Sequence, residues 1–289
     1  MFRLYSKHLH RLLNGWYITD PKQIMVSRSL PGTTAQQQMD YFNSLIQQIF
    51  ISAWKTTHVQ RLQESTAAIR RLLEDTSITY HFLDVASADG STSAYTHKCL
   101  TSQGYRLCTT STDKDPYVYA NRLGILEYFY SVSGEPFLCN IGNLLVFRLY
   151  DQFNKDPFSK GISRYLKRRF YMTHFERKAL KIDLRNPITD DCSDFTYEYS
   201  DIFKPEPRYF FRFHIVRCSN VMNYFNIEKT IHVLRVLKRY LKNGGYLIVS
   251  QCDERGVEAG TIFQRSESSW REIESFNRGS HIASLIGRA

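Results

Sequence analysis

The chain has 289 residues, 43% hydrophobic and 23% charged, and carries a formal net charge of +10. Its length and apolar content fit a globular protein with one substantial core and exclude a disordered or fibrous chain. No apolar run approaches the roughly 18 residues of a membrane span, so no membrane partner is expected.

The six cysteines stand singly, without a C-x-x-C pair, which argues against a disulfide framework or zinc knuckle and for a reducing, cytoplasmic setting. The nine histidines are equally dispersed, without H-E-x-x-H, and no metal is expected. The positive charge allows a nucleic-acid or anionic partner.

In chain order, "MFRLYSKHLHRLLNGWYI" is basic but has neither a long apolar centre nor a small-residue cleavage site. It reads as a short amphipathic helix with Phe2, Leu4, Leu12 and Leu13 on its apolar side. After the Pro31-Gly32 break, Met39, Phe42, Ile46, Ile49, Phe50 and Ala53 recur at helical spacing, predicting a helix over 34–54. Val59, Leu62, Ala67, Ile69 and Leu72 predict another over 58–74, so residues 1–78 read as a helical cap.

From residue 79 the pattern becomes strand, turn, helix, strand: "ITYHFLDVA", a small-residue turn, "YTHKCLTSQG" and "YRLCTTSTD". This is the opening of a doubly wound, Rossmann-like α/β sheet, assigned to residues 79–289. An insertion at about 117–184 shows no clear periodicity and is taken as folded substrate-side structure. Within it, "RYLKRRFYMTHFERKALK" (164–181) interleaves bases with aromatics. That pattern fits either a nucleic-acid-tracking patch or an amphipathic helix with Tyr165, Leu166, Phe170 and Phe175 inward.

Farther on, "FTYEYSDIF" and "YFFRFHIVRCS" read as strands, followed by a helix capped by Asn226 with Ile231, Leu234, Leu237 and Leu241 on one face. Asn243-Gly244-Gly245 closes that helix, and "YLIVS" is a buried strand. "GTIFQR" and "HIASLIG" are expected as late strands separated by a helix-like "SSWREIESF".

The chemistry is concentrated in D-V-A-S-A-D-G, Asp84 to Gly90, where Ala86, Ala88 and Gly90 occupy the spacing of a three-glycine cofactor loop. Alanine does not readily take positive φ, so ordinary dihedrals are expected at Ala86 and Ala88. Asp113 ends the second strand, 23 residues after Gly90, where a carboxylate offers two coplanar acceptors to ribose hydroxyls. Asp201 leaves another strand at the ligand-binding edge, with Ile202 beside it for a base face.

Together with "TDKDPYVYA", "SDIFKPEP" and "FHIVRCSNVMNYFNIEKTIHVLRVLKRYLKNGGYLIVS", this resembles class I S-adenosylmethionine (SAM) methyltransferases, most closely the chemotaxis-receptor (CheR) type. The resemblance covers about residues 80–255. It implies that Asp84, Ala86, Ser87 and Gly90 shape the loop at the methionine end, Asp113 holds the ribose, and Asp201 with Ile202 borders adenine. Asn220 and the substrate-side Tyr224 would stand near the transferable methyl. Cys218 reads as a buried small hydrophobe rather than a nucleophile.

Ser219 replaces the family's usual arginine and Asn243 its usual proline, which leaves the acceptor open among carboxylate, hydroxyl and amine. The alternatives are a nucleic-acid methyltransferase and a non-catalytic binding protein that keeps the fold. A NAD-linked dehydrogenase fits less well, because alanine methyls at Ala86 and Ala88 hinder approach to a pyrophosphate.

Overall fold

The computed structural model describes residues 16–17, 21–28, 34–50, 60–142, 145–150, 154, 156–173, 179–267 and 269–289. The expected helix around Phe2, Leu4, Leu12 and Leu13 lies outside them, as does Phe175. In chain order the elements are β1 (Trp16–Tyr17), α1 (Gln23–Ser27), α2 (Ala35–Phe50), α3 (Gln63–Leu72), β2 (Thr79–Val85), α4 (Ser91–Thr101) and β3 (Arg106–Asp113). There follow β4 (Tyr117–Leu123), β5 (Leu126–Tyr130), β6 (Pro136–Ile141), β7 (Leu145–Arg148), α5 (Pro157–Met172) and β8 (Leu180–Asp183). The chain ends with β9 (Phe195–Tyr199), β10 (Phe213–Ser219), α6 (Ile227–Tyr240), β11 (Leu241–Cys252), β12 (Glu258–Arg265) and β13 (Trp270–Phe276).

Two compact units result: Met1–Trp54 with Tyr117–Leu184, and Lys55–Pro116 with Arg185–Ala289. The first 78 residues are therefore divided rather than forming one helical cap. Burial explains the division. On α2, Phe42, Leu45 and Ile46 join Val118, Phe129 and Ile182 in one apolar cluster, whereas Ala68 and Ile69 of α3 pack with Phe82 and Ile215.

In the first unit, the stretch without legible periodicity supplies five strands of a six-stranded sheet in the order β1-β7-β6-β5-β4-β8, with Trp16–Tyr17 as the sixth. Gly134 turns the chain between β5 and β6 with φ of 81°. The Asp156 side chain accepts from the Ser159 N–H at 2.8 Å and Pro157 opens α5, a standard helix start. Leu166 and Phe170 are buried, Phe170 against Tyr128 with ring centroids 5.3 Å apart. Tyr165, by contrast, is exposed.

The second unit holds a seven-stranded sheet in the order β13-β12-β11-β10-β2-β3-β9, parallel from β9 through β11 and antiparallel at β12 and β13. Helices cover both faces because successive residues of the central strands alternate sides. Leu83, Val216 and Leu247 pack with Val233, Leu234 and Leu237 of α6. Phe82, Ile215 and Ile248 pack with α3 and Leu100 of α4. Full burial of such a side chain contributes roughly 1.5–3 kcal/mol.

Asn226 caps α6 by accepting from the Lys229 N–H at 2.9 Å. Helix α6 ends at Tyr240, ahead of Asn243-Gly244-Gly245, and Gly244, with φ of 77°, lies inside β11 where its register against β10 shifts.

Two late elements differ from expectation. "SSWREIESF" contributes strand β13, because pairing with β12 satisfies a backbone that so short an isolated helix leaves marginal. "HIASLIG" instead forms a 3-10 turn at Ala283–Arg288 with Ile282 buried in the core below α6. Among the described residues no helix is long and apolar enough to cross a membrane, and no group of three or more His, Cys, Asp or Glu side chains gathers to hold a metal.

Candidate functional site

From β2 the chain adds β3 and β9 on one side, then returns to add β10 and β11 on the other. Strand order therefore reverses between β2 and β10, and the crevice at their carboxyl ends is where open α/β sheets bind ligands. The segments at that edge are 86–90 after β2, Asp113 at the end of β3, 200–204 after β9 and 220–225 after β10.

The 86–90 loop has left-handed backbone at three alternate positions: Ala86 at φ 54°, Ala88 at 60° and Gly90 at 79°. The expectation of ordinary dihedrals at the alanines is thus wrong. Hydrogen bonds hold the turn. The Ser87 N–H donates to the Thr112 carbonyl at 2.9 Å and the Gly90 N–H to the Ser87 carbonyl at 3.1 Å. The Ala88 N–H donates to Asp113 Oδ2 at 2.9 Å, and the Tyr197 hydroxyl donates to the Ala88 carbonyl.

Left-handed geometry costs an alanine roughly 1–2 kcal/mol, and each bond returns about 0.5–1.5 kcal/mol. We expect Ala86→Gly and Ala88→Gly each to raise stability by about 0.5–1 kcal/mol, after allowing for the greater unfolded-state freedom of glycine. Urea denaturation midpoints check this, and destabilisation by both would contradict it.

Asp113 is nearly buried, and its second oxygen accepts from the Asp115 N–H at 2.9 Å. Ser87 Oγ lies 2.6 Å from Ser111 Oγ, which donates to Ser93 Oγ at 3.0 Å. Ser93 in turn donates to Asp84 Oδ2 at 2.6 Å. Asp84 is the one predicted loop residue that the fold turns to other work. It is buried and takes a two-pronged ion pair from Arg217, Nε to Oδ1 at 3.1 Å and Nη2 to Oδ2 at 2.5 Å.

Asn220 also has φ in the left-handed range, at 58°. Its amide faces the end of β11, Oδ1 accepting from the Cys252 N–H at 2.6 Å and Nδ2 donating to Cys252 Sγ at 3.7 Å. Asp201 caps its own turn, Oδ1 accepting from the Phe203 N–H at 3.1 Å. Ile202, Phe203 and Phe225 pack against the α6 core, and the Phe203 and Phe225 rings meet at 4.8 Å, joining the Asp201 turn to the segment carrying Tyr224. Tyr224 itself is 62% exposed, rather than a core residue. Cys218 is buried, and that burial pushes its thiol pKa up.

Sequence reasoning missed Arg217, Asp89, Asn186 and Tyr197. Asp89 is buried with Oδ1 on the Ser91 N–H at 3.0 Å and Oδ2 on Asn186 Nδ2 at 2.9 Å. The Asn186 N–H also donates to the Asp89 carbonyl at 2.8 Å. A signal for Arg217 was present: a lone guanidinium inside an apolar strand requires a buried carboxylate opposite, and Asp84 occupies the matching position of β2.

Residues 153–271 match the CheR methyltransferase, SAM binding domain. Among solved structures, the CMeT domain of a citrinin polyketide synthase is 12% identical, with 76% of this chain and 48% of that one covered and a TM-score of 0.38. A protein of Pyrococcus horikoshii OT3 is 12% identical over 86% of this chain and 88% of that one, with a TM-score of 0.36. Phosphoethanolamine N-methyltransferase 1 of Haemonchus contortus is 13% identical over 77% and 34%, with a TM-score of 0.33.

The chain therefore spans about half the length of the first of these and a third of the last. A search of curated proteins finds no match. The family match, the mixed α/β sheet and the motifs at its carboxyl edge make this chain similar to class I SAM-dependent methyltransferases, and over residues 153–271 to the CheR SAM-binding domain.

Proposed function

We propose that the protein is a SAM-dependent methyltransferase acting on a polar acceptor, a carboxylate, hydroxyl or amine. The observation that carries the reading is the 86–90 loop, left-handed at three alternate positions and hydrogen-bonded to Asp113 at the strand-order reversal. The Ala88 and Asp115 N–H groups each donate to one Asp113 oxygen, fixing the carboxylate at the strand end where a pair of ribose hydroxyls would be taken. Asp201 Oδ2 stands 3.9 Å from Lys204 Nζ, a loose pair on an exposed lysine that an adenine amino group would replace, with Ile202 as the apolar neighbour.

Bound SAM would supply a methyl group made electrophilic by a sulfonium. The protein's part is alignment in a fixed electrostatic environment. Asn220 fixes the end of β10 against β11, and the exposed Tyr224 phenol is available to orient an acceptor. A carboxylate acceptor needs no general base, whereas a hydroxyl or a protonated amine benefits from one. The test is calorimetric titration with SAM and S-adenosylhomocysteine. Saturable binding is expected, and its absence in folded protein would move the reading to a non-catalytic scaffold.

A nucleic-acid acceptor is favoured by one surface. Helix α5 exposes Arg164, Arg168 and Arg169 together with Tyr165 and Tyr171, a combination suited to phosphates and stacked bases. With single-stranded RNA, an Arg164→Ala/Arg168→Ala variant should lower the slope of log affinity against log salt by about 1.4. An unchanged slope would remove this reading.

A further inference from the structure

At the amino edge of the parallel strands, about 20 Å along the strand direction from the 86–90 loop, there is a cavity of about 160 Å³. Its walls include Leu72 at the end of α3, Tyr80 of β2, His214 and Ile215 of β10, and Lys242 and Tyr246 of β11. The bulge between the paired positions of β10 and β11 brings the Lys242 segment alongside His214.

His214 is held by two neighbours. The backbone N–H of His81 donates to Nδ1 at 2.9 Å, and Lys242 Nζ stands 3.0 Å from Nε2. A neutral imidazole carries one proton, so acceptance at Nδ1 places that proton on Nε2. Two donors, the ring N–H and the lysine ammonium, therefore converge at the cavity wall. The charged and titratable groups acting on this ring are Lys242 and His81, with Arg212 acting on His81 in turn. Among the described residues no carboxylate pairs with His214, His81, Lys242 or Arg212.

We propose that this cavity binds a small organic carboxylate, its oxygens accepting from Lys242 Nζ and His214 Nε2 and its hydrocarbon body lying among Leu72, Tyr80, Ile215 and Tyr246. The volume suits the body: an apolar cavity of about 150 Å³ accommodates benzene. The charge suits the head group, because a carboxylate accepts from both converging donors at once. Burial, then Lys242 and His81, push the His214 pKa down to about 4. With Nε2 already protonated and Nδ1 taken by the His81 N–H, the neutral ring donates as it stands and binding takes up no proton.

The experiment is calorimetric titration at pH 5.5 with benzoate, benzyl alcohol and inorganic phosphate as probes, in two buffers of different ionisation enthalpy. Expected are saturable benzoate binding with the same heat in both buffers, and at least tenfold weaker binding in Lys242→Met. Benzyl alcohol and phosphate should each bind at least tenfold more weakly than benzoate. Absence of benzoate binding, equal affinity in folded Lys242→Met, or equal binding of benzyl alcohol or phosphate would overturn the proposal. The comparison of the three probes uses wild-type protein alone, so the test stands even if the variant fails to fold. It is also independent of SAM binding, which concerns the other edge of the sheet.

Discussion

Arg217→Met should destabilise the protein by about 3–5 kcal/mol, read as a lower denaturant midpoint, because it strands a buried carboxylate. Arg217 is fully buried and shares a cross-strand position with Asp84. Its remaining donors are also used: Nη1 reaches Thr96 Oγ1 at 3.0 Å and Ser65 Oγ at 3.3 Å, and the guanidinium lies 5.3 Å from the Phe82 ring centroid. Removing the cation leaves Asp84 with the Ser93 hydroxyl as its side-chain donor. Removing both charges has a different sign of consequence. Arg217→Met/Asp84→Leu should regain most of the loss, since well-packed apolar residues replace a buried pair at little or no cost. A single variant losing less than about 1 kcal/mol would show that water or a neighbour compensates the carboxylate.

Asp113→Ala should weaken binding of SAM and S-adenosylhomocysteine by about 10- to 150-fold, the equivalent of hydrogen bonds to a charged acceptor. The substitution also strips the acceptor from the Ala88 N–H and so loosens the loop. Denaturation of the variant measures that loosening separately. Asp113→Asn is no rescue: its amide has one acceptor oxygen, while backbone N–H groups from Ala88 and Asp115 face both of the original oxygens. Cofactor binding at wild-type strength in folded Asp113→Ala would remove Asp113 from the ribose role and take the main support from the cofactor reading.

Much of the sheet is legible because its strands are compact apolar runs bounded by turns. "YRLCTTSTD" contains β3, and the strand expected at 195–203 contains β9 with the Asp201 turn at its end. The 117–184 sheet is not legible, since its strands carry aromatics and polar residues on both faces and each gains stability only from neighbours in antiparallel register. At the candidate site, residue types place the loop at the carboxyl edge of the sheet but do not disclose the contacts that hold it. Local preference disfavours left-handed alanine; hydrogen bonds donated by the Ser87 and Ala88 N–H groups to Thr112 and Asp113, each 25 residues along the chain, override it. Asp84 has the position of a loop acid, but its fate depends on Arg217, which is 133 residues away.

The termination of the seven-stranded sheet bears on how the molecule keeps to itself in a crowded solution. At one margin, β13 presents Arg271 and Glu272, with Glu274 tied to Arg71 at 2.5 Å. At the other, Glu198 of β9 is held by Arg208 at 2.9 Å and accepts from the Tyr209 hydroxyl. A foreign strand docking on either margin must displace or desolvate these charges before gaining backbone hydrogen bonds. Charged borders thus let a sheet rich in Val, Ile and Phe be made and stored without recruiting strands from its neighbours, and neutralising them should show first as aggregation rather than unfolding.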